Sequence, residues 1–251
     1  MTNEPIIELH DVAVEFSGFK AVSGLNLRVT KGELRCLIGP NGAGKTTALD
    51  VICGKVRARS GRVLLKGQDI TRLPEYRIAR RGIGRKFQVP SIFREMTVRD
   101  NLEVGYCKHL GVFSNAIRFR RAERDGLEKL AALVGLDDVI DEPAGYLSHG
   151  QTQWLEIALL LAQNSEVILL DEPTAGMTAQ ETMHTAKIFN SLKGRHTIVV
   201  VEHDMAFVRE ISDVITVMHQ GKVLAEGCAA EVQNDARVRE AYLGSGGIAH
   251  A

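Results

Sequence analysis

Short β-type runs alternate with helical ones along most of the chain: IIELHDVAVEF (6–16), LNLRV, LRCLIG, RVLLKG, IGRKF, VILLD, TIVVVEH, DVITVMH and KVLAEG. LRCLIG, VILLD and TIVVVEH are apolar throughout, as strands covered on both faces of a parallel sheet are. Between residues 97 and 146 the pattern changes. TVRDNLEVGYC and NAIRFRRAERDGLEKLAALVGL read as helices with no strand between them, the first opened by a Thr97/Asp100 cap. The pattern predicts an α/β core, residues 1–90 plus 147–244, interrupted by a helical insertion over 91–146. The last residues, 245–251 within GSGGIAHA, form a loose tail.

Composition adds mild bounds. A chain of 251 residues is long enough to bury a core as one large or two small domains. Its 45% hydrophobic and 25% charged residues are those of a soluble globular protein. Lys+Arg and Asp+Glu balance at 31 each, so no overall field recruits nucleic acid or anionic lipid. The basic stretches RIARRGIGRK (77–86) and RFRRAER (118–124) therefore read as solvated, salt-bridged surface. No apolar run approaches the ~18 residues of a membrane span, and the start MTNEPIIELHDV lacks a basic, apolar signal region. Cys36, Cys53, Cys107 and Cys228 are scattered, which argues for reduced thiols and against a zinc site.

The chemistry begins at GPNGAGKTT (39–47), between the strand LRCLIG and the helical run TALDVICG. Gly39, Gly42 and Gly44 let backbone N–H groups face phosphate oxygens without Cβ clashes, and the helix beginning near Lys45 adds its positive dipole end. Lys45 would reach the β- and γ-phosphates, and the Thr46 hydroxyl would coordinate Mg²⁺. From residue frequencies, an accidental match is expected in on the order of one chain in a hundred. VILLDEP supplies a second half: Asp171 ends a strand at the sheet edge where ligands bind and would hold Mg²⁺ through water. Glu172, one step on, is placed to orient or deprotonate an attacking water. A third stretch, LSHGQTQW, opens a helix with Ser148 as N-cap and Gln151 completing a capping box. His149 and Gly150 beside the cap raise a further question: whether this helix end also faces an anion.

GPNGAGKTT, Gln88 in KFQVPSIF, LSHGQ, VILLDEPTAG and His203 in VVVEHDM, in that order over residues 6–244, resemble the ATP-binding-cassette ATPases. The resemblance implies an α/β P-loop NTPase fold: a RecA-like core, an N-terminal antiparallel β-subdomain and an inserted α-helical subdomain. It implies ATP held by Phe16, Gly39, Pro40, Asn41, Gly42, Ala43, Gly44, Lys45, Thr46 and Thr47, with Phe16 stacking on adenine and Phe19 nearby. Mg²⁺ would meet Thr46, Gln88 and Asp171. Glu172, His203 and Gln88 would serve catalysis, His203 at the γ-phosphate. Two cassettes sandwich two nucleotides head to tail, so Ser148, Gly150 and Gln151 would face the partner's ATP. ATP-driven closure then moves permease subunits, docked near the insertion and the segment after Gln88, and hydrolysis reopens the dimer.

The chain departs from the family pattern in two places. His149 stands where the signature loop has its second glycine, and Thr178 stands where most cassettes carry a seam aspartate. Thr178 with Glu181 still makes a capping box. For His149 two placements are open: a donor at the partner's phosphate in the closed dimer, or a ring pointing to solvent. LSHGQTQWLEIALLLAQ, DEPTAGMTAQET, VEHDMAFVREISDVITVMHQGKVLAEG and VREAYLG resemble, more narrowly, the branched-chain amino acid and urea importer ATPases, the SHGQ loop and QTQWLE the urea branch in particular. That implies uptake of a small polar solute, urea or a short amide first and a branched-chain amino acid as the alternative, with a second ATP-binding subunit, like or unlike, integral-membrane permeases, and indirectly an external or periplasmic solute-binding protein. It also implies a peripheral place on the cytoplasmic face of the plasma (inner) membrane, and no nucleic acid. A chromosome or DNA-repair ATPase needs a coiled-coil insertion for which the interval from Gln88 to Leu147 has no room. An ATPase of lipopolysaccharide export or another non-import complex stays open. A pure nucleotide sensor is disfavoured by Glu172 and His203.

Overall fold

The computed structural model describes residues 4–86, 92–107 and 121–243. Gln88, most of RFRRAER and the tail, for which the sequence carries expectations, lie outside these residues. Among the described residues, ten strands fall into two sheets: β1 (Pro5–Phe16), β2 (Phe19–Thr30), β3 (Leu34–Ile38), β4 (Ser60–Leu65), β5 (Gln68–Asp69), β6 (Ile83–Arg85), β7 (Val167–Asp171), β8 (Thr197–Val201), β9 (Val214–His219) and β10 (Lys222–Gly227). The helices are α1 (Lys45–Ile52), α2 (Glu75–Ala79), α3 (Val98–Cys107), α4 (Arg121–Val134), α5 (His149–Ala162), α6 (Ala179–Leu192), α7 (Met205–Ile211), α8 (Ala229–Asn234) and α9 (Ala236–Leu243). The smaller sheet is antiparallel, in the order β2-β1-β4-β5. The larger runs β10-β9-β3-β8-β7-β6, parallel except where β10 pairs with β9.

The uninterrupted apolar runs sit in the middle of the parallel sheet because both faces there are covered. Successive side chains of a strand point to opposite faces, so each central strand feeds two cores. Ile168, Leu170, Ile198 and Val200 join one core, under the helices; Val167, Leu169, Val199 and Val201 join the other, shared with α1 and the antiparallel sheet. α3, α4 and α5 close the first core with Leu102, Leu127, Ala131 and Leu155. The cap that opens α3 is formed: the Thr97 Oγ1 accepts from the Asp100 N–H at 3.0 Å and the Asp100 carboxylate from the Thr97 N–H at 3.2 Å. Trp154 on α5 donates to the Thr185 hydroxyl at 2.9 Å and sets its ring 4.5 Å from His184, which fastens α5 to α6.

The basic stretch 77–86 is not all solvated surface. Arg85 and Lys86 are buried side chains, one bonded to Asp50, the other to Gln153 and 3.7 Å from Glu156. Arg85 ends β6 and Lys86 follows it, and the pairing of β6 with β7 draws this segment into the interior. Burial pushes Lys86 below the usual lysine range, against the pull of Glu156. Cys36 and Cys53 are buried free thiols and Cys228 an exposed one.

Candidate functional site

The sheet order decides what meets at its C-terminal edge. β8 lies between β3 and β7, so the loops leaving these three strands share one crevice. From β3 comes the glycine-rich loop. A Cβ on Gly39 would lie 2.1 Å from the Met218 carbonyl oxygen, and one on Gly44 2.5 Å from that of Ala21; both residues also have positive φ, so glycine is required at each. The loop delivers the chain into α1 with Gly44 as N-cap and no side-chain cap, which leaves the first-turn amides for a ligand. Lys45 Nζ donates to the Gly39 and Pro40 carbonyls at 2.8 and 3.1 Å, and burial holds its pKa below the ordinary lysine value. The lysine therefore rests on its own loop, within reach of whatever the loop encloses.

From β7 come Asp171 and Glu172. Asp171 Oδ2 is buried with no hydrogen-bond partner, and Arg85 Nη2 stands 3.8 Å away. Burial raises the Asp171 pKa, while the Thr46 hydroxyl, hydrogen-bonded to the carboxylate, opposes the rise. Glu172 has φ 47°, a left-handed conformation uncommon for a residue with a side chain, held by its N–H donating to the Val201 carbonyl at 2.9 Å. Behind β8, His203 brings Nδ1 to 3.7 Å from Glu172 Oε1. Both side chains are more than half exposed, on the open side of the crevice.

A cavity of about 310 Å³ joins the glycine-rich loop to Glu172, lined by Phe16, Phe19, Asn41, Gly42, Ala43, Gly44, Lys45, Thr46, Thr47 and Glu172 among others. Phe16 and Phe19 face each other across the β1–β2 turn and are 47% and 65% exposed, so either ring presents a stacking surface. Ser148, Gly150 and Gln151 do not line this cavity. They open α5 with a complete capping box: Ser148 Oγ accepts from the Gln151 N–H at 3.2 Å and Gln151 Oε1 from the Ser148 N–H at 2.9 Å. His149 is an exposed residue, and its ring is engaged within its own chain. Its Nε2 hydrogen-bonds the Ala175 carbonyl of the same chain at 3.0 Å, because the loop after β7 runs directly past the start of α5.

Residues 22–175 match the family described as ABC transporter, and residues 222–248 that described as branched-chain amino acid ATP-binding cassette transporter. The chain is 38% identical to the high-affinity branched-chain amino acid transport ATP-binding protein BraF of Pseudomonas aeruginosa, over 96% of this chain and 99% of the relative. It is 38% identical to LivG of Escherichia coli K12, again over 96% and 99%. The chain belongs to the ABC transporter ATP-binding subunits of the branched-chain amino acid importer family. A crystal structure of an ABC transporter cassette in its ADP conformation superimposes with a TM-score of 0.83 at 31% identity, covering 96% of this chain and 99% of the other.

As an ABC ATPase, the chain couples ATP hydrolysis to transport, and no helix among its described residues is long and apolar enough to cross a membrane. Its crevice suits a hard divalent cation: Asp171 offers a buried oxygen without a hydrogen bond, beside the Thr46 hydroxyl, an all-oxygen set. Two polar residues of this ABC ATPase carried no motif signal. Arg85, on β6, donates to Asp50 and to Cys53 Sγ at 3.3 Å; burial works against its charge, but Cys53 and Asp50 outweigh it. Glu202, 1% exposed, accepts from the Thr174 N–H at 3.2 Å, the Thr174 hydroxyl at 2.5 Å and the His203 N–H at 3.0 Å. An acid inside the run VVVEHD was the available clue, since an unpaired buried carboxylate is costly.

Proposed function

We propose that this chain powers an importer for a small amino-acid-class solute, as one of two cassettes beneath a pair of permease subunits on the cytoplasmic face of the membrane. The observation that carries the reading is the meeting of Lys45, Thr46, Asp171, Glu172 and His203 where β3, β7 and β8 end side by side. Lys45 would leave the Gly39 and Pro40 carbonyls for the β- and γ-phosphates of ATP, joined there by the amides of the loop and of the first turn of α1. Thr46 and Asp171 would hold Mg²⁺, with Gln88 as a further contact; the ion, when bound, neutralises charge on the phosphates. Glu172 would take the proton of an attacking water while His203 contacts the γ-phosphate side. Phe16 would stack on the base, and Ser148, Gly150 and Gln151 would meet the nucleotide of the second cassette.

In this reading residues 1–90 and 147–244 form the nucleotide-binding core, 91–146 the permease-facing helical subdomain and 245–251 a tail. An external solute-binding protein would deliver the solute, which does not contact the cassette. The names of the relatives favour a branched-chain amino acid as the solute. A urea-type amide is a second reading, supported by the LSHGQTQW loop alone. Deleting the gene and measuring uptake of labelled leucine and labelled urea separates them: loss of leucine uptake alone supports the first, loss of urea uptake alone the second. Unchanged uptake of both, with no permease co-purifying, sinks the importer reading.

A further inference from the structure

The six residues Pro173–Thr178 carry the chain from Glu172 to α6, and they are tightly wound. The Ala175 N–H donates to the Glu172 carbonyl at 3.2 Å and the Met177 N–H to that of Thr174 at 3.1 Å. One end of this loop is held from the core, where buried Glu202 grips Thr174. The other hold comes from α5. A carbonyl only accepts, so His149 Nε2 carries a proton and donates to Ala175. The imidazole also lies over Gly176, where an added Cβ would sit 3.4 Å from Nε2. The contact is reinforced alongside: Ser148 Oγ lies 3.5 Å from Glu181 Oε1, and a Cβ on Gly150 would strike the same oxygen at 2.3 Å. The start of α5 and the loop behind Glu172 thus form one packed unit within one chain.

We propose that His149 is a positioning residue for the Glu172 of its own chain, acting through Ala175, while Ser148 and Gly150 beside it serve the partner's nucleotide. A glycine at this position has no side chain with which to make the contact. The strained backbone of Glu172 makes the hold consequential, because a residue with φ 47° keeps that conformation only while its surroundings impose it. The inference rests on the reading of Glu172 as base in a two-cassette sandwich, and the experiment separates the two.

Mixed dimers of the full-length chain are prepared with Glu172→Gln in one subunit, so that one competent glutamate remains. His149→Gly is then placed either in the opposite subunit, sharing a chain with that glutamate, or in the Glu172→Gln subunit. Positioning within the chain predicts that the first arrangement loses roughly 3–10-fold in kcat with KM for ATP unchanged, the factor one net hydrogen bond commands. The second arrangement keeps the turnover of the parent mixed dimer. His149→Gln, which retains an N–H donor, restores most of the loss. Amide exchange at Ala175–Met177 in the free subunit should also quicken in His149→Gly. Loss confined to the second arrangement, equal loss in both, or none in either overturns the inference. A fully active Glu172→Gln homodimer overturns the assignment of the base and this inference with it.

Discussion

In the proposed function, Glu172 is the residue on which the chemistry turns. It occupies a left-handed conformation, fixed by its N–H bond to the Val201 carbonyl, and its carboxylate stands 3.7 Å from His203 Nδ1. Glu172→Gln keeps the shape and the backbone bond but removes the carboxylate proposed as the base. Turnover should fall roughly 10²–10⁴-fold, the range for a positioned general base, while ATP binding persists. The measurement is single-turnover hydrolysis beside equilibrium nucleotide binding; an unimpaired rate would move the base elsewhere, with His203 first in line. Asp171 and Glu172 were legible from VILLDEP because a run of buried-strand residues ending in two acids leaves those acids at the strand's exit. Arg85 was not legible. In RIARRGIGRK nothing local distinguishes it from the exposed arginines before it, and only the pairing of β6 with β7 takes it inside.

At the scale of elements, the parallel sheet is pinned at the end away from the crevice by a polar network. Arg35 on β3 is 3% exposed; it donates to Glu33 at 2.5 Å, to the Thr216 hydroxyl of β9 at 2.9 Å, and to Glu226 of β10. Thr216 donates in turn to Glu226 at 2.9 Å. Three neighbouring strands are tied by one guanidinium. Arg35→Met should cost about 3 kcal/mol in urea unfolding, the low end for stranding a buried partner, since the Glu226 side chain is 41% exposed and can turn to water. Adding Glu33→Gln should recover part of that loss. If the single variant unfolds with the wild-type midpoint, the network is ornamental to stability. The element pattern itself was readable: the strand runs, the cap before α3 and the boxes opening α5 and α6 all depend on residues close in sequence.

For the molecule as a whole, ligand binding is stability. A nucleotide that binds only the folded chain adds about 2.7 kcal/mol at 100 times its Kd, which corresponds to roughly 5–10 °C for a chain of this size. The chain has one tryptophan, Trp154, set against His184 between α5 and α6, so its fluorescence reports loss of that packing on heating. Mg-ATP should raise the melting temperature read at Trp154. Lys45→Ala removes the partly buried cation that rests on the Gly39 and Pro40 carbonyls, and its melting temperature should not respond to Mg-ATP. An equal rise in the variant would remove the nucleotide reading of the crevice.

Period, caps and glycine placement act over a few residues, and these the sequence determined unaided: an α/β chain with a helical insertion, a phosphate-type loop between strand and helix, and two acids at a strand exit. The tertiary structure decided what those pieces meet. That β8 separates β3 from β7, bringing His203 beside Glu172, follows from hydrogen-bond register between strands far apart in the chain. Whether Phe16 or Phe19 flanks the loop was a matter of turn geometry, and the hairpin sets both there. His149 reaches Ala175 only because α5 and the loop after β7 pack side by side. A side chain's partner across such a distance is chosen by the packing of whole elements, and no local pattern encodes it.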